Sequence, residues 1–249
     1  MSIKTKILES LQKYNTVILP PMDVFQSFAI LKDCDIHVEC TMLDPWYNKG
    51  YGGVLPDNEY DAFIQNLLNS AAEISDLIYL WGFPEVIGPY VRYAPKNFTM
   101  SSWLTWYYKN CPSVIRGWRS SQNACLQFVK QGYLLHPENF LSSQQMIKFN
   151  DGDMRFIPGP ATVIEAPLLV GFVGKKERTG HPSQKPEAVF DKLLLMATNQ
   201  GETVFDPMAG SGTTAASALK NGRYSIVCDS NDDYILMMEK RLKVPRICF

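Results

Sequence analysis

Val204-Phe205-Asp206-Pro207-Met208-Ala209-Gly210-Ser211-Gly212-Thr213-Thr214 carries a short apolar strand into a helix through a glycine-rich turn. Glycines let a backbone approach a ligand closely, and the first turn of a helix offers unpaired N–H groups to an anionic group. A phosphate-binding loop needs a lysine after the glycines, and a dinucleotide turn needs the full G-x-G-x-x-G pattern; neither is present. The stretch therefore fits a ligand other than a diphosphate, or else a plain tight turn that packs the helix on the strand.

The next predicted strand, residues 224–229, ends at a second carboxylate, Asp229. In an open parallel sheet, ligands bind beyond the carboxyl ends of the strands, and an acidic residue there can bind a ribose diol. Together with the glycine-rich turn, Asp229 favours a nucleoside ligand that carries a carboxylate or a similar anion.

Leu43-Asp44-Pro45-Trp46-Tyr47-Asn48 forms another acidic strand end, after an apolar run at residues 36–44. Asp44 can accept a hydrogen bond, and Pro45 stiffens the turn. Trp46 and Tyr47 supply flat apolar faces, so the set suits a planar base with an amino group. Taken alone, Asp-Pro is also a common turn opener, and aromatic residues beside it usually pack in a core.

Strands and helices alternate along the rest of the chain, which predicts an α/β fold. Further strands are predicted at residues 76–81, 100–108, 124–130 and 203–206, and helices at residues 58–75, 85–93, 186–199 and 213–221. Between residues 132 and 180 the alternation of strands and helices gives way to predicted turns. This predicts an element appended to one α/β domain. The apolar run at residues 168–173 within it predicts a buried strand.

Composition is that of a globular protein: 249 residues, 46% hydrophobic and 20% charged, enough for one or two domains. No apolar run approaches the roughly 20 residues of a membrane span, and the N-terminus lacks the apolar core of a signal peptide. The six cysteines form no Cys-x-x-Cys pair, so no zinc site or disulfide framework is expected, and the cytosol is the expected location. With a net charge of −1, the protein needs a local basic face to bind DNA or RNA.

Three motifs in this order carry a family resemblance: Asp44-Pro45-Trp46-Tyr47, His181-Pro182-Ser183-Gln184-Lys185-Pro186, and the glycine-rich stretch from Asp206 to Thr214. Together they resemble the permuted, β-type amino-methyltransferases that modify DNA bases, over about residues 18–234. The resemblance implies a circularly permuted, Rossmann-like class I methyltransferase sheet. Residues 1–131 and 181–249 would form the catalytic and S-adenosylmethionine-binding domain, and residues 132–180 the target-recognition insertion.

The resemblance also implies roles for the residues around Asp44. Asp44 and the Pro45 carbonyl would hold the amino group of the target base, and Tyr47 would stack on a base flipped out of the duplex. Trp46 departs from the family, which usually has a second proline there. We expect its ring either to form an aromatic wall of the base pocket or to prop the turn.

For the cofactor, S-adenosylmethionine, the resemblance implies a larger set. Asp229 would take the ribose hydroxyls, Ser183 and Lys185 would border the carboxylate, and Asp23 would reach the adenine, with Met22 where the family has glycine. The methionine part would be lined by Asp206, Gly210 and Gly212, with Thr213 opening the helix. Pro207 and Ala209 of the same stretch would also belong to the cofactor-binding residues. No metal is expected, because a sulfonium is already an activated leaving group.

The sequence therefore predicts methyl transfer from S-adenosylmethionine to the N6 of a flipped adenine in DNA. Asp44 tilts the choice towards adenine, while cytosine N4 and an RNA base remain alternatives. A catalytically weak DNA-binding relic is a further alternative, favoured only by Trp46. The resemblance also raises a homodimer and a cognate restriction endonuclease as expected partners, with no membrane involved.

Other polar residues have plainer interpretations. The three histidines, His37, His136 and His181, show no ligand spacing and are predicted to be structural. The basic residues Lys109, Arg116 and Arg119 interleave with aromatic residues, which fits a nucleic-acid face or buried rings under a solvated rim. Those aromatic residues are Trp103, Trp106, Tyr107, Tyr108 and Trp118.

Overall fold

A computed structural model describes residues 1–49, 53–111 and 117–249 of the chain. Within these ranges one sheet contains the strands β1 (Thr16–Ile18), β2 (Val38–Leu43), β3 (Ser75–Gly82), β4 (Phe98–Tyr107), β5 (Gln122–Lys130), β6 (Val163–Glu165), β7 (Thr203–Asp206) and β8 (Tyr224–Val227). The α-helices are α1 (Ile3–Tyr14), α2 (Val24–Asp33), α3 (Asp57–Ile74), α4 (Pro84–Ile87), α5 (Ser143–Asn150), α6 (Glu187–Ala197), α7 (Thr213–Lys220) and α8 (Asp232–Leu242). No helix in the described ranges is long and apolar enough to cross a membrane.

The sheet has the strand order β1-β8-β7-β2-β3-β5-β4-β6. The five strands from β1 to β3 are parallel, whereas β5 runs antiparallel to both β3 and β4. The strand with the glycine-rich turn, β7, thus lies directly beside the strand that leads to Asp44, β2. This arrangement confirms the predicted permuted α/β sheet.

Both faces of the sheet are covered, as the sequence of β3 shows. Ile78 and Leu80 pack with α3 on one face, and Leu77, Tyr79 and Trp81 pack with α6 on the other. All five side chains are fully buried. A strand buried on both sides is a nearly continuous apolar run, which explains why period-2 alternation is absent from the central strands.

Several elements had no counterpart in the sequence-based expectations: α1, β1, α2, α5, β6 and α8. In addition, the helix predicted at residues 85–93 is split into α4 and a 3₁₀ turn, Gly88–Arg92. Pro89 explains the break, because it has no N–H to continue the α-helical hydrogen bonds.

The stretch at residues 132–180 is more ordered than its sequence pattern indicated. It contains a 3₁₀ turn (Pro137–Phe140), α5, and β6, which pairs with β4 and so extends the main sheet. The buried strand predicted at residues 168–173 is wrong: these residues form loop and turns, and Phe172 is 87% exposed. Apolar composition alone did not distinguish a buried strand from an exposed loop. Assignment of residues 132–180 to target recognition stays a prediction.

Candidate active site

A cavity of about 480 Å³ lies beyond the carboxyl ends of β2, β7 and β8. Asp206 is the last residue of β7, and Asp44 directly follows β2. Asp229 lies two residues after the end of β8. Because these three strands are parallel neighbours, their carboxyl ends meet at one edge of the sheet. Thirteen of the fourteen residues predicted from the sequence line the cavity: Asp23, Asp44, Pro45, Trp46, Tyr47, Ser183, Lys185, Asp206, Pro207, Ala209, Gly210, Thr213 and Asp229.

Asp206 is a buried carboxylate with two internal donors. It is 3% exposed; its Oδ1 accepts a hydrogen bond from the Met208 N–H at 3.0 Å, and its Oδ2 accepts one from the Thr214 hydroxyl. Burial raises the pKa of Asp206 to about 7 against the effect of these donors, and the charge of Asp44 adds to the rise. A cation in the cavity would favour the ionised form, so the site is suited to an ammonium group.

Asp229 and Gly210 also line the cavity. Asp229 accepts hydrogen bonds from the N–H groups of Gly210, at 2.9 Å, and Asn231, at 3.0 Å, and burial raises its pKa. Gly210 has a φ of 49°, and a Cβ at this position would lie 2.8 Å from Nε2 of His181. The turn therefore requires glycine at this position, because a side chain would be strained and would clash with the histidine.

Gly212 is the fourteenth predicted residue, and it is not part of the cavity lining within the described ranges. It is the N-cap of α7 with a φ of 75°, and a Cβ here would lie 2.9 Å from Cγ of Met238 in α8. The second glycine of the turn thus allows α7 and α8 to pack closely, and its expected place beside the cofactor stays a prediction.

Asp44, Tyr47 and Lys185 form a closed polar cluster in the cavity wall. Tyr47 donates its hydroxyl to Oδ1 of Asp44 at 2.9 Å, and Lys185 Nζ donates to Oδ2 of Asp44 and, at 3.0 Å, to the Tyr47 hydroxyl. Burial opposes the charge of Lys185, but Asp44 and Tyr47 outweigh it and raise the pKa of the ammonium. The Lys185 ammonium is thus held in its charged form, and each oxygen of Asp44 has a donor.

Trp46 turns towards helix α3. Its ring centroid lies 4.6 Å from that of Phe63 and 5.5 Å from that of Tyr60, and its carbonyl accepts a hydrogen bond from the Tyr60 hydroxyl at 2.7 Å. Its buried Nε1 has no hydrogen-bond partner among the described residues. The ring lines the large cavity together with Phe63, so it contributes to that wall and also holds the turn against α3.

Asp23 and Ser183 lie at the exposed rim of the cavity. Asp23 is the N-cap of α2: its Oδ1 accepts a hydrogen bond from the Phe25 N–H at 2.8 Å, in a capping box with Gln26. The Ser183 N–H donates to Nδ1 of His181 at 3.2 Å. The carboxylate of Asp23 thus caps the N-terminus of helix α2.

Eleven of the lining residues were not assigned to the site from their sequence patterns, among them Phe63, Phe83, Lys49 and His181. Phe63 was one of several apolar positions of a helix, and Phe83 follows β3 without any motif. His181 was predicted to be structural, yet it lines the cavity with its ring 4.4 Å from that of Tyr234, and burial lowers its pKa. Its position at the start of the His-Pro motif is the sequence signal that could have assigned it to the site.

His37 and His136 lie elsewhere and pair with Asp76 and Glu138 at 2.7 and 2.9 Å.

A second cavity, of about 190 Å³, adjoins the first, because Tyr47, Phe83 and Lys185 line both. Its other side includes Trp106 and Asn123 from the antiparallel strands β4 and β5. Asn123 is 6% exposed, and its Oδ1 has no hydrogen-bond partner within the described ranges. The polar cluster of Asp44, Tyr47 and Lys185 therefore stands between a large and a small cavity.

The fold places the members of the basic and aromatic cluster in different environments, some buried and some exposed. Trp106 and Tyr108 are buried, whereas Trp118 is fully exposed. Lys109 pairs with Glu165 at 2.7 Å, and Arg116 lies outside the described residues. Buried rings under a solvated rim thus describe Trp106 and Tyr108, whereas the exposed Trp118 and Arg119 fit a nucleic-acid face.

Comparisons with known proteins agree with this geometry. Residues 38–240 match the family model described as DNA methylase. The type II methyltransferase M.HpaI of Haemophilus parainfluenzae is 29% identical over 220 residues, which are 82% of this chain and 68% of that protein. The DNA adenine methyltransferase YhdJ of Escherichia coli K12 is 28% identical over 229 residues, which are 83% of this chain and 76% of that protein.

Solved structures show the same fold. The complex of M1.HpyAVI with S-adenosylmethionine superposes with a TM-score of 0.69 and 20% identity, over 91% of this chain and 98% of that one. The cytosine-N4-specific PvuII DNA methyltransferase gives a TM-score of 0.64 and 15% identity, over 91% and 88% of the two chains. With most of its length matched by the family model, the chain belongs to the S-adenosylmethionine-dependent DNA methylases that modify adenine N6 or cytosine N4.

Proposed function

We propose that the protein transfers a methyl group to the N6 of an adenine flipped out of DNA, and that the Asp44–Tyr47–Lys185 cluster acts on the base. The observation that carries this proposal is the position of the cluster between the two cavities, the larger of which contains Asp206 and Asp229. M.HpaI and YhdJ support it, since YhdJ is named a DNA adenine methyltransferase and both match most of this chain.

The large cavity fits S-adenosylmethionine by volume and by charge. Its volume lies within the range of roughly 300–1,000 Å³ typical of small-ligand sites. The buried carboxylate of Asp206 would hold the ammonium group, and Asp229 at the next strand end would hold the ribose hydroxyls. Gly210 keeps the backbone close to this ligand. When bound, the cofactor supplies a methyl group activated by a sulfonium.

The residues at the end of β2 would prepare the amino nitrogen of the base. Its lone pair is delocalised into the ring, so the nitrogen is a poor nucleophile. Asp44 and the Pro45 carbonyl would accept its two N–H groups and favour the pyramidal form, and Tyr47 would stack on the ring. These acceptors stabilise the geometry and the positive charge that develop in the transition state.

The flipped base would enter through the small cavity. Its volume of about 190 Å³ is below the range for drug-sized ligands, which suits a single planar ring system. The rings of Tyr47 and Phe83, with centroids 4.9 Å apart, lie between the two cavities. Inside a duplex the amino group could not reach the large cavity, so the base has to leave the stack.

Methyl transfer to unmethylated DNA tests the proposal. Protein and labelled S-adenosylmethionine are incubated with DNA, with RNA or with neither, and the products are hydrolysed to nucleosides. We expect N6-methyldeoxyadenosine from DNA. N4-methyldeoxycytidine would assign the cytosine alternative, label in RNA only would assign the RNA alternative, and cofactor binding without any transfer would assign the weak relic.

Trp46→Pro, which introduces the residue usual in the family, distinguishes a contribution of the indole to the large cavity from the wall of the base pocket considered in the sequence analysis. Because the ring packs on Phe63 and lines the large cavity, we expect the variant to bind S-adenosylmethionine about three- to tenfold more weakly, the equivalent of one aromatic contact. Calorimetric titration measures this affinity. A wall of the base pocket instead predicts unchanged cofactor affinity and a lower kcat/KM for DNA.

A homodimer, a cognate restriction endonuclease and a cytoplasmic location associated with the nucleoid stay predictions from the family resemblance. Sedimentation of the purified protein tests the first of them.

A further inference from the structure

Lys185 belongs to the motif expected to border the cofactor carboxylate, but its ammonium group is directed elsewhere. Nζ donates to Oδ2 of Asp44 and to the hydroxyl of Tyr47, the two residues of the base-binding turn. The residue is 6% exposed, so its charge is almost fully removed from water. A buried ammonium requires a carboxylate partner, and here that partner is Asp44.

The main chain of Lys185 makes a different contact. Its carbonyl accepts a hydrogen bond from the hydroxyl of Thr213, the first residue of α7 after the glycine-rich turn. One residue thus joins the cofactor turn, through its backbone, to the base-binding turn, through its side chain. Lys185 also lines both cavities.

The geometry of Asp44 depends on these donors. Its two carboxylate oxygens accept from different groups, Oδ1 from Tyr47 and Oδ2 from Lys185, and the two donors are themselves hydrogen-bonded. Such a triangle fixes the plane of the carboxylate. Catalysis by positioning requires this precision, because a displacement of about 1 Å can reduce a rate about a hundredfold.

We propose that Lys185 is a positioning residue for Asp44 and makes no required contact with the cofactor. This inference rests on the proposed function, in which Asp44 holds the amino group of the target base. The ammonium fixes one carboxylate oxygen and neutralises a buried negative charge, so that the base meets an oriented acceptor.

Lys185→Met tests this role in the full chain. We expect kcat for methyl transfer to fall about a hundredfold while the Kd for S-adenosylmethionine stays within about twofold of the wild type. The control is Lys220→Met, which breaks an exposed lysine–aspartate pair (Nζ of Lys220 to Oδ2 of Asp191, 2.6 Å) away from both cavities. A weakened Kd with unchanged kcat would instead place Lys185 at the cofactor carboxylate and overturn the proposal.

Two further measurements separate positioning from simple loss of stability. In an Asp44→Asn background, Lys185→Met should reduce kcat little further, because its effect passes through Asp44. Independent, additive losses would overturn the proposal. Lys185→Arg, which keeps a charged donor, should recover part of the rate lost in Lys185→Met, and no recovery despite a folded protein would count against it.

These outcomes concern the role of Lys185 alone. Absence of DNA methylation by the wild type would refute the proposed function, so the two failures are distinguishable.

Discussion

Asp44→Asn is expected to reduce methyl transfer by about a hundred- to a thousandfold, the loss typical when one charge-stabilising group is removed from an active site. The amide keeps an acceptor for Tyr47 but loses the charge that pairs with Lys185 and faces the amino group of the base. Binding of S-adenosylmethionine should stay near the wild-type value, since the predicted contacts of the cofactor are with Asp206 and Asp229. Single-turnover transfer and calorimetric titration measure the two effects separately.

Asp44→Ala removes the whole polar group at this position, whereas Asp44→Asn keeps an amide. Both substitutions leave the buried ammonium of Lys185 without a carboxylate, which typically destabilises a protein by about 3–5 kcal/mol. Asp44→Ala also removes the acceptor for the Tyr47 hydroxyl, so its melting temperature is expected to be below that of Asp44→Asn. Methyl transfer by a folded Asp44 variant at a rate comparable to the wild type would remove Asp44 from the catalytic residues.

Asp206→Asn is expected to weaken S-adenosylmethionine binding by about 2–5 kcal/mol, the usual cost of removing one partner of a buried, hydrogen-bonded charge pair. In the absence of cofactor the same change should stabilise the fold at pH 8. The reason is the pKa of Asp206, which burial raises from 3.8 to about 7. Thermal unfolding without ligand, together with titration calorimetry, checks both halves of this prediction.

The sign of the pH dependence follows from that pKa. Between pH 4 and 7 the folded protein keeps a proton on Asp206 that the unfolded chain has released, so stability without cofactor falls as the pH rises through this window. Over roughly three pH units, at about 1.4 kcal/mol each, the total is about 4 kcal/mol. Asp206→Asn should reduce this slope and leave the part contributed by other groups such as Asp229, whose pKa burial also raises. Equal slopes in the two proteins, or undiminished cofactor affinity in the variant, would refute the assignment.

The sequence predicts the fold correctly where an apolar run in the chain corresponds to a strand of the parallel part of the sheet. Asp44, Asp206 and Asp229 each end an apolar run, and parallel strands place such ends at one edge. The predicted boundaries of β7 are correct to the residue, because polar residues precede the strand and a glycine-rich turn follows it, so the apolar run is sharply delimited. The short β1 and the capped helix α2 were missed, since a strand of three residues or one helix cap gives no periodic signal.

The side-chain partners within the site could not be read in the same way. Lys185 and Asp44 are separated by 141 positions, and only the packing of the sheet reveals that they are paired. Gly210 and Gly212 look alike in the sequence, yet one approaches His181 in the cavity and the other approaches Met238 in α8. Which glycine meets a ligand depends on what lies opposite, and that is tertiary information.

The strand order has a consequence for how the molecule folds. The strands β7 and β8 come last in sequence among the described strands, yet they lie between β1 and β2 in the sheet. During synthesis, β1 therefore lacks its neighbour β8, and β2 lacks its neighbour β7, until residues near 227 have emerged from the ribosome. Such non-local pairing slows folding and exposes open edges to association. We expect slow refolding from denaturant and a nascent chain that depends on chaperones until β7 and β8 pair between β1 and β2.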